Sequence, residues 1–321
     1  MNGDIGLQAC AHGIHAIDSG YVRPRLDAIH LIVEKGRAAF VDTGTGLSVP
    51  RMLEALARLG LGVDAVDYVI LTHVHLDHAG GAGLLMRSLP HATAVVHPRG
   101  APHMLDPSKV WAATLEVYGE ERARRDYGEL VPIPRERLIE GTDGSSVSLA
   151  GRKLTFIDTP GHAKHHFCVH DEQARAIFAG DTFGISYREL DQGGEQFIFP
   201  STTPTQFDPP ALHASIDKLL ALQPRAIYLT HYSEITGIPQ KGVDLHRLVE
   251  AHAQLGLQWE GCADAAQRAA GLAAGVERMA IDEARRVGGD PAQWTQVLDN
   301  DIALNAQGIG SWLDFRKSKR G

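Results

Sequence analysis

The sequence predicts a layered α/β fold with appended C-terminal helices. Three observations lead there. Short apolar runs alternate with stretches of helical periodicity, the pattern of a sheet covered by helices. Several of those runs stop at a polar residue suited to binding a metal. From about Val243 onward the chain reads as Ala- and Leu-rich helix, with no low-complexity linker before it. The expected division is therefore residues 1–242 as one α/β domain and residues 243–321 as a helical extension packed on it.

Taken in order, residues 28–33 and 37–41 read as strands flanking a Glu34-Lys35-Gly36 turn, a hairpin pattern. The second of them runs into Asp42-Thr43-Gly44. A helix follows, with Met52, Leu53, Leu56 and Leu59 at helical spacing. Residues 68–71 form a short apolar run that feeds Thr72-His73-Val74-His75-Leu76-Asp77-His78. The pattern then partly recurs. Residues 153–157 enter Thr159-Pro160-Gly161-His162, residues 176–179 end at Gly180-Asp181, and residues 226–229 end at Thr230-His231. A sheet presenting ligands at its strand ends, from two similar halves, is the natural architecture. Residues 98–130 read as a polar helical insertion. Residues 182–210, rich in Gly, Pro and aromatics, are expected to form a loop over the site.

Composition narrows the classes of partner. Of 321 residues, 44% are hydrophobic and 22% charged, so a large core can be buried. A formal net charge of −8 argues against nucleic acid or an anionic membrane surface as partner. No stretch of about 18 apolar residues suggests a membrane span. Residues 1–11 lack a basic segment followed by an apolar run, so no signal peptide is expected. Cys10, Cys168 and Cys262 are odd in number and far apart, which favours a reducing, cytoplasmic setting over a disulfide framework. The expected partner is a small-molecule substrate. Trp294 and Trp312, in the C-terminal helices, either cover the core or form a homodimer contact.

The chemistry lies in His73-x-His75-x-Asp77-His78. In a loop leaving a strand, alternate residues point the same way, so His73 and His75 can hold one ion while Asp77 and His78 face another. Imidazoles plus carboxylates suit zinc, iron or manganese, zinc being the default for a hydrolase. His162, Asp181 and His231, each following an apolar run, complete a set of seven. Gly180 permits close backbone approach before Asp181.

These motifs resemble the metallo-β-lactamase superfamily, whose Asp, T-H-x-H-x-D-H, G-H, G-D and late His elements are met in order by Asp42, by His73 to His78, and by His162, Asp181 and His231. The likeness spans about residues 28–235 and is to the glyoxalase II and lactonase-like branch. It implies an αβ/βα four-layer sandwich with the site at one edge. It also implies that His73, His75 and His162 bind a first metal, that Asp77, His78 and His231 bind a second, and that Asp181 bridges both. Asp42 resembles the residue that orients the His-rich loop by hydrogen bonding.

The implied activity is hydrolysis of an ester, lactone or thioester by a hydroxide held at two divalent ions, with Asp77 also serving as a catalytic proton acceptor. Residues 159–166 resemble the T-P-G-H-T-x-G-H of glyoxalase II, with Ala163 and His165 in place of Thr and Gly. Tyr187, six residues past Asp181, and Phe183 are the expected substrate contacts. His97 and His103 are expected to be structural. Two other readings stay open: a mononuclear iron persulfide dioxygenase, which uses the first site alone, and a phosphodiesterase.

Overall fold

A computed structural model of the chain describes residues 4–202 and 205–320. The first three residues, and Thr203 and Pro204 of the expected loop, lie outside them. The strands fall into two sheets. The first contains β1 (Gln8–Ala9), β2 (Ile14–Asp18), β3 (Ala28–Glu34), β4 (Arg37–Val41), β5 (Val66–Leu71), β6 (Thr93–Val96) and β7 (Leu138–Glu140), in that spatial order. β1 to β4 pair antiparallel, and β4 to β7 pair parallel. The second sheet contains β8 (Ser146–Leu149), β9 (Arg152–Asp158), β10 (Phe167–Asp171), β11 (Ala176–Gly180), β12 (Ala226–Leu229) and β13 (Ser233–Ile235). The expected hairpin is β3–β4, with Glu34 opposite Arg37. Lys35 and Gly36 both take positive φ, as a two-residue turn matched to strand twist requires.

Why these strands read as apolar runs is visible in their packing. Alternate residues divide between two cores: Leu31, Phe40, Val69 and Leu71 enter one, Ile32, Val41, Ile70 and Val95 the other. A strand buried on both faces has no polar face to alternate with. The second core lies between the sheets and is closed by Leu154, Phe156, Phe167, Val169 and Phe178. On its outer face the first sheet is covered by α1 (Val49–Arg58), followed by α2 (Leu76–Ala79) and α3 (Ala82–Ser88). Of the four residues at helical spacing, Met52 and Leu56 are buried, together with Ala55, while Leu53 and Leu59 are half-buried. The polar insertion is helical as well: α4 (Ala101–Leu105), α5 (Ser108–Tyr118) and α6 (Glu120–Tyr127).

Contacts within the chain define two compact units. The first comprises residues 1–158, 165–180 and 224–234, and the second residues 159–164, 181–223 and 235–321. These units do not coincide with a division between 242 and 243. The C-terminal helices share their unit with the Gly- and aromatic-rich segment and with α7 (Pro209–Ala221). The others are α8 (Ile238–Trp259), α9 (Ala265–Val287), α10 (Pro291–Val297) and α11 (Asp299–Arg320). Asp208, Asp264 and Asp290 cap α7, α9 and α10 by accepting backbone N–H groups, which fixes where each begins. Asn305 of α11 ties the aromatic-rich segment down, its side chain bonding Thr202 N and Pro200 O. A side-chain bond of that kind is invisible to periodicity, so the sequence placed the boundary where composition changes. Trp294 and Trp312 are both buried. Among the described residues no helix is long and apolar enough to cross a membrane.

Candidate metal centre

In the first unit the chemistry-bearing residues stand at three strand ends. Asp42 follows β4, Thr72 and His73 follow β5, and Thr230 and His231 follow β12. Asp42 is almost wholly buried and takes a positive φ of 58°, turning its carboxylate back among the strand ends. It accepts hydrogen bonds from Thr72 N at 2.8 Å, from Thr72 Oγ1 at 2.9 Å and from Thr230 Oγ1 at 2.9 Å. His78 Nδ1 lies 2.9 Å from the same carboxylate. One buried charge therefore ties three strands to the His-rich loop.

The short helix α2 carries Asp77 and His78 in its single turn. His78 Nε2 lies 3.7 Å from Asp77 Oδ2, and His231 Nε2 lies 3.7 Å from that same oxygen. Asp77, His78 and His231 bring one ligand atom each within 4.8 Å of one another, a group that can hold a metal ion. His231 has its own carboxylate behind it: Asp27 Oδ1 lies 2.7 Å from Nδ1. Both imidazoles are thus engaged at Nδ1 by a buried acid, which leaves the Nε2 lone pair aimed at Asp77. That is the arrangement found behind metal-binding histidines. Burial pushes the Asp27 carboxyl up to about 6, and His231 beside it holds it below what burial alone would give.

His73 Nε2 and His75 Nδ1 lie 2.9 Å apart, so these two rings also converge. His166 stacks on His73 with ring centroids 4.8 Å apart, and His165 sits 5.6 Å from His75. Gly180 is indispensable here, since a Cβ at that position would fall 2.6 Å from His166 Nε2 and 2.7 Å from Thr72 Oγ1.

In the second unit His162 and Asp181 meet, with Nε2 3.4 Å from Oδ2. His162 Nδ1 donates to the Ser201 carbonyl at 3.1 Å, and Ser201 Oγ donates to Asp181 at 3.1 Å. Gly161 allows this turn: a Cβ there would fall 2.4 Å from the Leu212 backbone of α7. Tyr187 and Phe183, expected at the substrate, are core side chains with at most 1% exposure, and Tyr187 Oη donates to Asp301 at 3.2 Å. His97 is engaged by Asp158 at 3.0 Å.

Sequence reasoning missed Asp27 and Tyr21. Asp27 is a single aspartate before an apolar strand, and no motif marks it. Tyr21 donates to Tyr127 Oη at 3.0 Å, and burial, then the Asp77 charge, pushes its phenol well above the usual range.

A family model described as "Metallo-beta-lactamase superfamily" matches residues 23–231. The chain belongs to the metallo-beta-lactamase superfamily. Its fold is the superfamily's mixed α/β arrangement of two sheets with helices, extended by C-terminal helices. Among relatives, the metallo-beta-lactamase fold-containing protein ST1585 of Sulfurisphaera tokodaii is 24% identical over 68% of this chain and 78% of its own length. The solved structure of ST1585 aligns with a TM-score of 0.63 at 21% identity, covering 94% of this chain and 99% of the other. An acyl-coenzyme A thioesterase, MBLAC2 of Gallus gallus, is 32% identical over 48% of this chain, which spans 56% of that protein. A hydroxyacylglutathione hydrolase of Aeromonas salmonicida is 28% identical over 63% of this chain and 60% of its own length. The His and Asp groups above are of a kind that can hold a metal ion, and the superfamily consists mostly of metal-dependent hydrolases.

Proposed function

We propose that the chain is a dinuclear metallohydrolase cleaving an ester, lactone or thioester. In this reading His73, His75 and His162 hold one divalent ion, Asp77, His78 and His231 hold a second, and Asp181 is shared. The observation that carries it is the Asp77–His78–His231 triangle with a buried carboxylate behind each imidazole. The donor set fits zinc, and it also serves iron or manganese. Divalent ions, when bound, supply Lewis acidity and lower the pKa of a bound water toward about 7.

The chain's own residues do the rest. Asp42 and Asp27 fix the tautomer and direction of His78 and His231, so that no reorganisation is needed as charge develops. Asp77 presents Oδ2 to both imidazoles, and its side chain is 25% exposed. In this reading Asp77 also accepts a proton from an attacking water, so no Ser or Cys nucleophile is required. The thioesterase and hydroxyacylglutathione hydrolase relatives support the thioester end of the substrate range.

Purified protein, metal-loaded and chelated, assayed against esters, lactones, thioesters and phosphodiesters tests this. We expect ester or thioester turnover that chelation abolishes and zinc or manganese restores. Full turnover by metal-free protein would overturn it. One iron per chain with oxygen uptake on glutathione persulfide would replace it with the dioxygenase reading.

A further inference from the structure

A second cluster of imidazoles lies where α7 packs against α8, within the second unit, and it shares no residue with the candidate metal centre. His213 and Asp217 are one turn apart on α7, and His246 and Glu250 are one turn apart on α8, so each helix offers an imidazole and a carboxylate on one face. The two rings stack, with planes 11° apart and centroids 4.9 Å apart. His213 Nδ1 and His246 Nδ1 are only 2.6 Å from each other. Behind the rings the carboxylates are exchanged between the helices. Asp217 of α7 lies 3.1 Å from Nε2 of His246, and Glu250 of α8 lies 3.7 Å from Nε2 of His213.

The carboxylates decide where the ring protons go. A carboxylate at Nε2 accepts the N–H there, which leaves each neutral imidazole with its lone pair on Nδ1. Both lone pairs then point at one spot, and at 2.6 Å they repel unless a positive centre lies between them. A proton in that spot leaves the group of four with one unbalanced negative charge, whereas a divalent cation balances both carboxylates. Zinc–nitrogen bonds of about 2.0–2.1 Å place two such nitrogens roughly 3.3 Å apart, so the rings need to part by less than about 1 Å. The side chains have room for this, being 26% and 27% exposed, and water can fill the remaining coordination positions. The same two features mark the candidate metal centre: nitrogens converge at His73 and His75, and Asp27 stands behind His231.

We propose that His213 and His246 bind one divalent transition-metal ion through their Nδ1 atoms, with Asp217 and Glu250 orienting the rings from behind. Two imidazole donors suit copper, nickel and zinc, and they give little hold on magnesium or calcium, which take oxygen ligands. The ion staples α7 to α8. That matters because α7 supports the turn before His162. Ser215 Oγ donates to the Pro160 carbonyl at 2.6 Å, and the Leu212 backbone packs against Gly161. This site is independent of the hydrolase reading.

Equilibrium dialysis against nickel or zinc chloride, with bound metal counted per chain, tests this. His213→Ala and His246→Ala should each bind one ion fewer than the native protein, whatever number the other sites hold. The double variant should also be short by one ion, because the two imidazoles share it. Asp217→Asn should keep the ion but bind it about 10- to 100-fold more weakly. His91→Ala, which removes an exposed imidazole 3.6 Å from Asp64, is the control and should lose none. Circular dichroism checks that each variant is folded, and His246→Gln repeats the count should alanine unfold α8. Single variants that keep the native count overturn the proposal, as does a double variant short by two ions or an equal loss in His91→Ala. The count is a difference between proteins that share the candidate metal centre, so failure there leaves it readable.

Discussion

Two buried carboxylates stand behind two histidines of the first unit, and they are built differently. Asp42 sits at the end of β4 among four donors: the Thr72 amide and hydroxyl, the Thr230 hydroxyl and His78. Asp27 sits at the entrance to β3, where His231 at 2.7 Å is its charge partner and burial pushes its pKa up to about 6. Asp42 is thus part of the frame as well as of the site, because removing it would leave several buried donors without an acceptor. Asp27 acts chiefly on one imidazole. The difference teaches that a carboxylate behind a ligand can serve folding or serve metal affinity, and that the donors around it decide which.

The largest expected effect follows from Asp42. Asp42→Ala should lower the unfolding free energy by about 4 kcal/mol, the usual cost of stripping one partner from a buried ionic network. Urea unfolding of metal-free protein measures this. A loss under about 1 kcal/mol would show that the strand ends do not depend on that carboxylate.

Asp27→Asn should separate the two roles. We expect unfolding close to that of the native protein, with zinc affinity reduced about 10- to 100-fold as for other second partners of metal-binding histidines. Competition with a chromophoric chelator reads it. Equal losses of stability in the Asp27 and Asp42 variants would erase the contrast.

A third buried ionisable group sharpens it further at smaller scale. His252 on α8 is fully buried, among the described residues hydrogen-bonds only its own helix through Nδ1 to Leu248 O, and is pushed down to about 4 by burial. Its unfolded value is near 6.5, so the unfolded chain binds the extra proton. Stability is therefore complete above about pH 6.5 and declines as pH falls toward 4. His252→Phe should remove a decline on the order of 1–2 kcal/mol between pH 7 and pH 5. Parallel pH profiles for the two proteins would place the acid sensitivity elsewhere.

How far the sequence could be read follows the same physics. Residues 28–41 and 68–78 were legible because strands buried on both faces become continuous apolar runs, and because a turn such as Lys35-Gly36 needs positive φ. The short strands β1, β7 and β13 left no such run. Asp42 was legible through the motif it belongs to, whereas Asp27 has only a spatial relation to His231, more than two hundred residues away. The boundary near residue 242 was read from composition. Asn305 and α7, which join the aromatic-rich segment to the C-terminal helices, act through contacts that composition does not record. Tyr187 was chosen by its spacing from Asp181, and spacing along the chain carries no information about burial.

Crystals grown with zinc and measured at its absorption edge address the metal centre most directly. We expect an anomalous peak within about 2.3 Å of His78 Nε2, His231 Nε2 and an Asp77 oxygen, with a second peak sharing Asp181 with it. Density confined to some other part of the surface, with these three side chains holding no ion, would contradict the whole reading.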